Sequence, residues 1–180
     1  TTTRPLNETK GVAFNGARDV VTITLSTNDL NAIKLDDKLV VNGKVYIRHS
    51  DKLVLDLQGV KVAAVDASSA FSATLSEDKT SPQLVGFGIN MDTGKIIVTF
   101  AEPVRAQSFN ATKLTIQDAA TASESYTLKG GAESTTNGLE LTVTMTVDDL
   151  VALKKKSMAS GKTDTYMTLT ADAVTDMAGV

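Results

Sequence analysis

Apolar and polar residues alternate with a period of two along most of this chain. Residues 95–100 (KIIVTF) put Ile96, Val98 and Phe100 on one face. Residues 139–146 (LELTVTMT) put Leu139, Leu141, Val143 and Met145 on one face, with Glu and Thr opposite. Residues 19–27 (DVVTITLST) set Val21, Ile23 and Leu25 against Val20, Thr22, Thr24 and Ser26. Residues 113–117, 125–128 and 165–170 follow the same rule. Alternation rich in Val, Ile and Thr predicts half-buried antiparallel strands. Turn signals separate them, at Asp92–Gly94, Gly130–Gly131 and Asn137–Gly138. Residues 83–180 therefore read as one sandwich, its inward set being Leu84, Ile96, Val98, Phe100, Leu114, Ile116, Leu141, Val143, Leu150, Leu153, Tyr166 and Leu169.

Two short stretches break the alternation. Residues 28–34 (NDLNAIK) and 148–154 (DDLVALK) each open with Asx residues, which suit an N-cap and the positive end of a helix dipole. Leu30/Ile33 and Leu150/Leu153 are three apart, enough to seat one or two turns on a sheet. Each helix is expected to cross from one sheet to the other. The Lys154–Lys156 run then falls at a helix C-terminus, where cations are favoured.

The two helices stand 120 residues apart, and so does much else. Residues 22–34 (TITLSTNDLNAIK) return as 142–154 (TVTMTVDDLVALK), and 46–60 as 166–180. Without a gap, 1–60 and 121–180 share 13 identities, among them Asp29/Asp149, Tyr46/Tyr166, Asp56/Asp176 and Gly59/Gly179. A fixed period of this length predicts a tandem array of domains. On that reading, 1–66 holds the second half of one repeat and its closing strand, Val60–Val65. Residues 67–82 are a linker. Residues 83–180 hold a nearly complete second repeat that lacks its last strand. The expected fold class is all-β: tandem antiparallel β-sandwiches, each with one short inserted helix.

Composition narrows the function. Aromatics are 4% and Trp is absent, so the core must come from Val, Leu, Ile and Ala. A net charge of −3, with no basic stripe, argues against nucleic acid. Cysteine is absent, which excludes disulfides, thiolate metal sites and Cys nucleophiles. No apolar run is long enough to span a bilayer, and the polar first residues are not a signal peptide.

Residues 78–82 (DKTSP), 100–104 (FAEPV), Tyr166 and 176–179 (DMAG) carry a family resemblance. The chain resembles bacterial Ig-like repeats of the S-layer and adhesin type, and is similar to repeats in large surface proteins of algae and other protists. The resemblance covers 78–180 well and 8–65 in a worn form, and it implies the Ig-like version of the sandwich. Ala101 stands where the family carries Ser, and Val180 where it carries Asn.

The candidate chemistry is sparse. His49, the one histidine, faces Leu169 at the repeat offset and lies in a worn strand, so a catalytic role is not expected. The pairs Asp36–Asp37 and Asp148–Asp149 read as solvated turns and helix starts, and no enzyme activity is expected. Calcium is the one cofactor the pattern brings forward, since hard cations take several carboxylate and carbonyl oxygens. Its candidate ligands are Asp66, Glu77, Asp78 and Asp176. Asn7 and Asn110 head the sequons 7–9 (NET) and 110–112 (NAT), candidate glycosylation sites. Tyr46, Tyr126 and Tyr166 are dispersed and read as core or corner packing rather than a sugar-stacking platform.

The leading expectation is a structural or adhesive segment of a long extracellular or cell-surface stalk, fibre or filament. Its partners would be neighbouring repeats or copies, and glycans. The alternatives are a carbohydrate- or protein-binding Ig-like module of a surface receptor or secreted enzyme, and an accessory domain beside a catalytic one.

Overall fold

The computed structural model describes residues 2–39, 43–156 and 158–180. The chain is mostly β, with antiparallel sheets and two α-helices among the described residues. It divides into two compact units, Thr1–Glu77 and Asp78–Val180.

The second unit holds two sheets. One is four-stranded, in the order β5 (Leu84–Asn90), β6 (Lys95–Val104), β10 (Gly138–Met145), β9 (Gly131–Glu133). The other orders β11 (Tyr166–Leu169), β7 (Leu114–Gln117), β8 (Ser125–Thr127). All the pairings are antiparallel. Helix α2 (Val147–Lys155) runs from β10 of one sheet toward β11 of the other.

The predicted alternation places the core. Ile96, Val98 and Phe100 of β6 and Leu141, Val143 and Met145 of β10 are buried, and share one cluster with Leu114 and Ile116 of β7 and Leu153 of α2. Full burial of each such side chain is worth about 1.5–3 kcal/mol. Leu84, Leu150 and Leu169 pack on its margin.

Tyr166 corrects the expected inward set. It is 37% exposed, while Met167 and Leu169 face the core. Period two decides this: Tyr166 and Leu169 are three apart and cannot share a face of one strand. Leu139 is also exposed, because the β10–β6 register shifts between Gly138 and Glu140. Pro103, which has no N–H to give, sits in the interrupted stretch of β6 between Thr99 and Val104.

The turns form as the sequence suggests. Between β5 and β6, Asn90 Oδ1 accepts the amides of Asp92 and Thr93, and Gly94 closes the turn at φ 71°. Gly131 is required at φ 153°, where a Cβ would lie 2.7 Å from the Thr144 carbonyl oxygen.

The first unit holds two hairpin-like pairs, β1 (Thr9–Phe14) with β2 (Val21–Leu25) and β3 (Val45–Ile47) with β4 (Phe71–Ala73), and helix α1 (Thr27–Leu35). Strand β4 lies inside the stretch read as linker. Val60–Val65 is not a continuous strand. It makes only isolated bridges, Lys61 to Leu55 and Val65 to His49. Among its described residues this unit has no fully buried apolar side chain; Asp29 is its one buried residue.

Both helices begin one or two residues earlier than expected, and hydroxyls, not Asx residues, cap them. Ser26 Oγ accepts the Asp29 amide at 3.0 Å, and Thr146 Oγ1 accepts the Asp149 amide at 3.1 Å. The cap is the residue directly after the strand, whose backbone is still extended, as an N-cap needs. Lys154 and Lys155 do occupy the last turn of α2.

Candidate metal centre

The third residue of each helix carries a carboxylate that reaches back to main chain some twenty residues earlier. Asp149 is fully buried. It accepts the Lys129 amide at 3.1 and 3.2 Å, the Tyr126 hydroxyl at 2.8 Å and the Thr146 hydroxyl at 2.8 Å. Asp29 accepts the Asn7 amide at 3.1 and 3.3 Å and the Glu8 amide at 2.9 Å. The bonds from Asn7, Glu8, Tyr126 and Lys129 tie each helix start to a distant part of its unit, and the Thr146 bond closes the cap. Burial, and then the Asp149 carboxylate, raise the Tyr126 phenol above its usual 10.0.

A second recurring carboxylate makes a turn. Asp176 Oδ1 accepts the Gly179 amide at 2.7 Å and the Val180 amide at 2.8 Å, and the Asp176 amide donates to the Val180 carbonyl at 3.1 Å. Asp56 Oδ1 accepts the Gln58 and Val60 amides at 2.9 and 2.8 Å, and its amide donates to the Val60 carbonyl at 2.9 Å. Gly59 and Gly179 both sit at positive φ, 81° and 94°. Asp and Gly play the same parts in both turns.

Asp176 also lies where β6 ends, through its bridge to Val104, and Arg105 donates to the Met177 carbonyl there at 2.7 Å. Asp78 and Glu102 converge on it. One carboxylate oxygen from each of the three lies within 4.8 Å of the others. Asp176 is buried, while Asp78 and Glu102 are half-buried. Asp78 Oδ1 also accepts the Thr80 amide at 3.1 Å.

Of the predicted calcium ligands, Asp78 and Asp176 come together. Asp66 and Glu77 belong to the other unit. Asp66 is engaged in its own turn, where the Ser68 hydroxyl, then the Ser68 amide at 2.8 Å, and then the Ser69 hydroxyl and amide lower its pKa. Glu102 was missed by sequence reasoning. Its signal was a carboxylate directly before Pro103 at the end of an apolar strand.

The donor chemistry favours a hard cation, because it is all carboxylate, with neither imidazole nor thiolate. Three such oxygens are about half of the six to eight that calcium takes, so main-chain carbonyls and water would have to supply the rest.

His49 joins no such group among the described residues; its Nδ1 lies 3.1 Å from the Ser50 carbonyl oxygen. Asn7 and Asn110 are both exposed. Asn110 caps a short 3₁₀ turn by accepting the Thr112 amide and hydroxyl. Tyr126 packs against the core, whereas Tyr46 and Tyr166 are exposed, against the packing expected for all three. No described helix is long and apolar enough to cross a membrane.

No protein-family model matches the chain, and no curated protein or solved structure matches it either.

Proposed function

We propose that this chain is a segment of a long extracellular structural or adhesive protein, built from tandem Ig-like β-sandwich domains with one inserted helix each. The observation that carries the reading is the recurrence of specific hydrogen bonds at the 120-residue offset. A hydroxyl cap and the Asp-x-x-Gly-Val turn appear in both units at that offset, and in both the third helical residue is a carboxylate that accepts a main-chain amide, from Glu8 in one and from Lys129 in the other, one position off the repeat. Apolar identities can persist for composition alone. Paired donors and acceptors at fixed spacing are harder to retain without a common backbone.

The match has local differences. Gly11 opposes Thr24 in the first unit, while Gly131 opposes Met145 in the second, a shift of one residue. The shift follows the irregularity in β1 between Thr9 and Gly11.

In this reading the chain is not an enzyme. Its carboxylates hold helix starts and turns, and its one histidine stands apart. The extracellular placement is supported by two exposed sequon asparagines, Asn7 and Asn110. Its partners are neighbouring repeats and copies, together with attached glycans. The rival reading, a binding module, is favoured by one observation, a groove of mixed polarity in the first unit lined by Phe14, Val21 and Leu55 together with Arg18, Asp19 and Lys61.

Electron microscopy of the native protein separates the two. The proposal expects extended, beaded particles. Single compact particles would overturn it and favour the binding module.

A further inference from the structure

The two copies of the strand–helix segment share their local bonds but not their burial. In the second unit, β10 is paired on both edges, with β6 and with β9. Its Leu141, Val143 and Met145 are buried. The corresponding β2 pairs only with β1 among the described residues. Val21, the counterpart of Leu141, is 39% exposed, and Ile23 and Leu25 are half-buried. Leu30 is 42% exposed, whereas its counterpart Leu150 packs on the core. Val54 is half-buried where its counterpart Val174 is buried.

This difference has a definite place. A groove of about 1140 Å³ lies between the tip of the β1–β2 hairpin and residues 54–62, with Phe14, Val21, Leu57 and Val60 among its walls and Arg18, Asp19, Asp56 and Lys61 beside them. In the second unit, the matching faces are covered by β6, by the 3₁₀ segments that follow it, and by β7. Val104, Ala106, Phe109, Ala111 and Leu114 of that stretch are all buried in the common core. An apolar face beside an unpaired strand edge is a template for strand addition, in which main-chain bonds give affinity and alternate side chains give register.

We propose that the free edge of β2, with the groove at its Val21 end, seats a strand of the β6 type, supplied by another repeat of the same polypeptide and running antiparallel to β2. The proposal rests on the tandem-repeat reading. The occupant is specified by what covers the equivalent face here: an Ile96/Val98/Phe100 pattern of alternating apolar residues. Supply within one polypeptide is favoured because the β5–β6 hairpin of this chain is already engaged with its own β10. A second molecule would have to unfold its own second unit to donate it.

The test joins a copy of residues 81–120 directly ahead of Thr1 in the full chain, which restores the 120-residue spacing. Hydrogen exchange then reads the amides of Val21–Leu25, and sedimentation reads the mass. The expected result is a monomer in which those amides slow by about a hundredfold or more. The gain should vanish when the added copy carries Ile96→Asp and Val98→Asp. A second measurement does not depend on the stability gained. Val98 and Leu141 are Cα partners across β6 and β10, so Val98→Cys in the added copy and Val21→Cys should form a disulfide in this cysteine-free chain. Unchanged exchange at β2 together with no disulfide would overturn the proposal. So would dimerisation of the unextended chain that protects β2, since the occupant would then be a second molecule. The repeat reading is judged separately, by the peptide map of the native polypeptide. It stands if further copies align at intervals near 120 residues, whatever the fusion does, and falls if none do.

Discussion

Removing the buried carboxylate of Asp149 should unfold the second unit more effectively than most single core truncations. In Asp149→Ala, the Lys129 amide, the Tyr126 hydroxyl and the Thr146 hydroxyl all lose an acceptor that is itself fully buried. A buried donor left without an acceptor costs about 1–3 kcal/mol. Each charge-assisted bond contributes about 1.5–3 kcal/mol, partly recovered as the hydroxyls rotate toward other acceptors. We take about 4 kcal/mol, which for a unit of this size lowers Tm by about 15–30 °C. Tyr126→Phe removes one donor and should cost about 1–2 kcal/mol. In the Asp149→Ala background it should cost almost nothing, a coupling of about 1 kcal/mol or more between residues in contact. The assay is urea unfolding read by hydrogen exchange at Leu141–Met145, so that the first unit does not enter the signal. A loss below about 1 kcal/mol for Asp149→Ala, or an undiminished Tyr126→Phe effect in that background, would refute the reasoning.

Three further outcomes follow from the same geometry. Gly131→Ala should destabilise the second unit by about 1–3 kcal/mol, since its Cβ would meet the Thr144 carbonyl at a backbone angle that L-residues avoid; calorimetry showing an unchanged Tm would contradict this. Leu153→Ala should cost about 2–5 kcal/mol, because that side chain is fully buried in the common core, whereas Ile33→Ala, in the less buried helix, should cost clearly less; equal losses in urea unfolding would be the contrary result. The Lys113 ammonium at 2.5 Å, and then the Thr170 hydroxyl, lower the Asp172 carboxyl to about 2. A depressed carboxylate contributes stability that is complete above its unfolded value, near 3.8, and is lost as pH falls through about 2. An NMR titration of Asp172 with a midpoint near 3.8 would exclude that bond in solution.

What the sequence made legible was whatever repeats with a short period. Strands β6, β7 and β10 could be read because Ile96/Val98/Phe100, Leu114/Ile116 and Leu141/Val143/Met145 alternate without interruption. The two helices could be read because the alternation stops at 28–34 and 148–154. Strand β1 was not visible, since Gly11 breaks its pattern and its Val12 and Phe14 are exposed. The outward turn of Tyr166 was lost to the assumption that a large aromatic belongs inside. The shape of Val60–Val65 was lost because an apolar run does not reveal whether a partner strand is present; here only isolated bridges form. At the carboxylate cluster, Asp78 and Asp176 were legible as acidic residues flanking a domain. Glu102 was not, because its approach depends on where β6 ends in space rather than on local spacing. The 120-residue offset announced a shared pattern. The hydrogen bonds of Asp29/Asp149 and Asp56/Asp176 supply a physical reason for those identities, since each carboxylate holds backbone amides in place.

The central claim, a segment of a tandem array, is tested most directly by the intact mass of the native polypeptide, read together with its peptide map. The account predicts a chain several times larger than 18.9 kDa, with further peptides that align to this one at intervals near 120 residues. A native polypeptide of 18.9 kDa, or a larger one whose remaining peptides carry no such repeat, would contradict it.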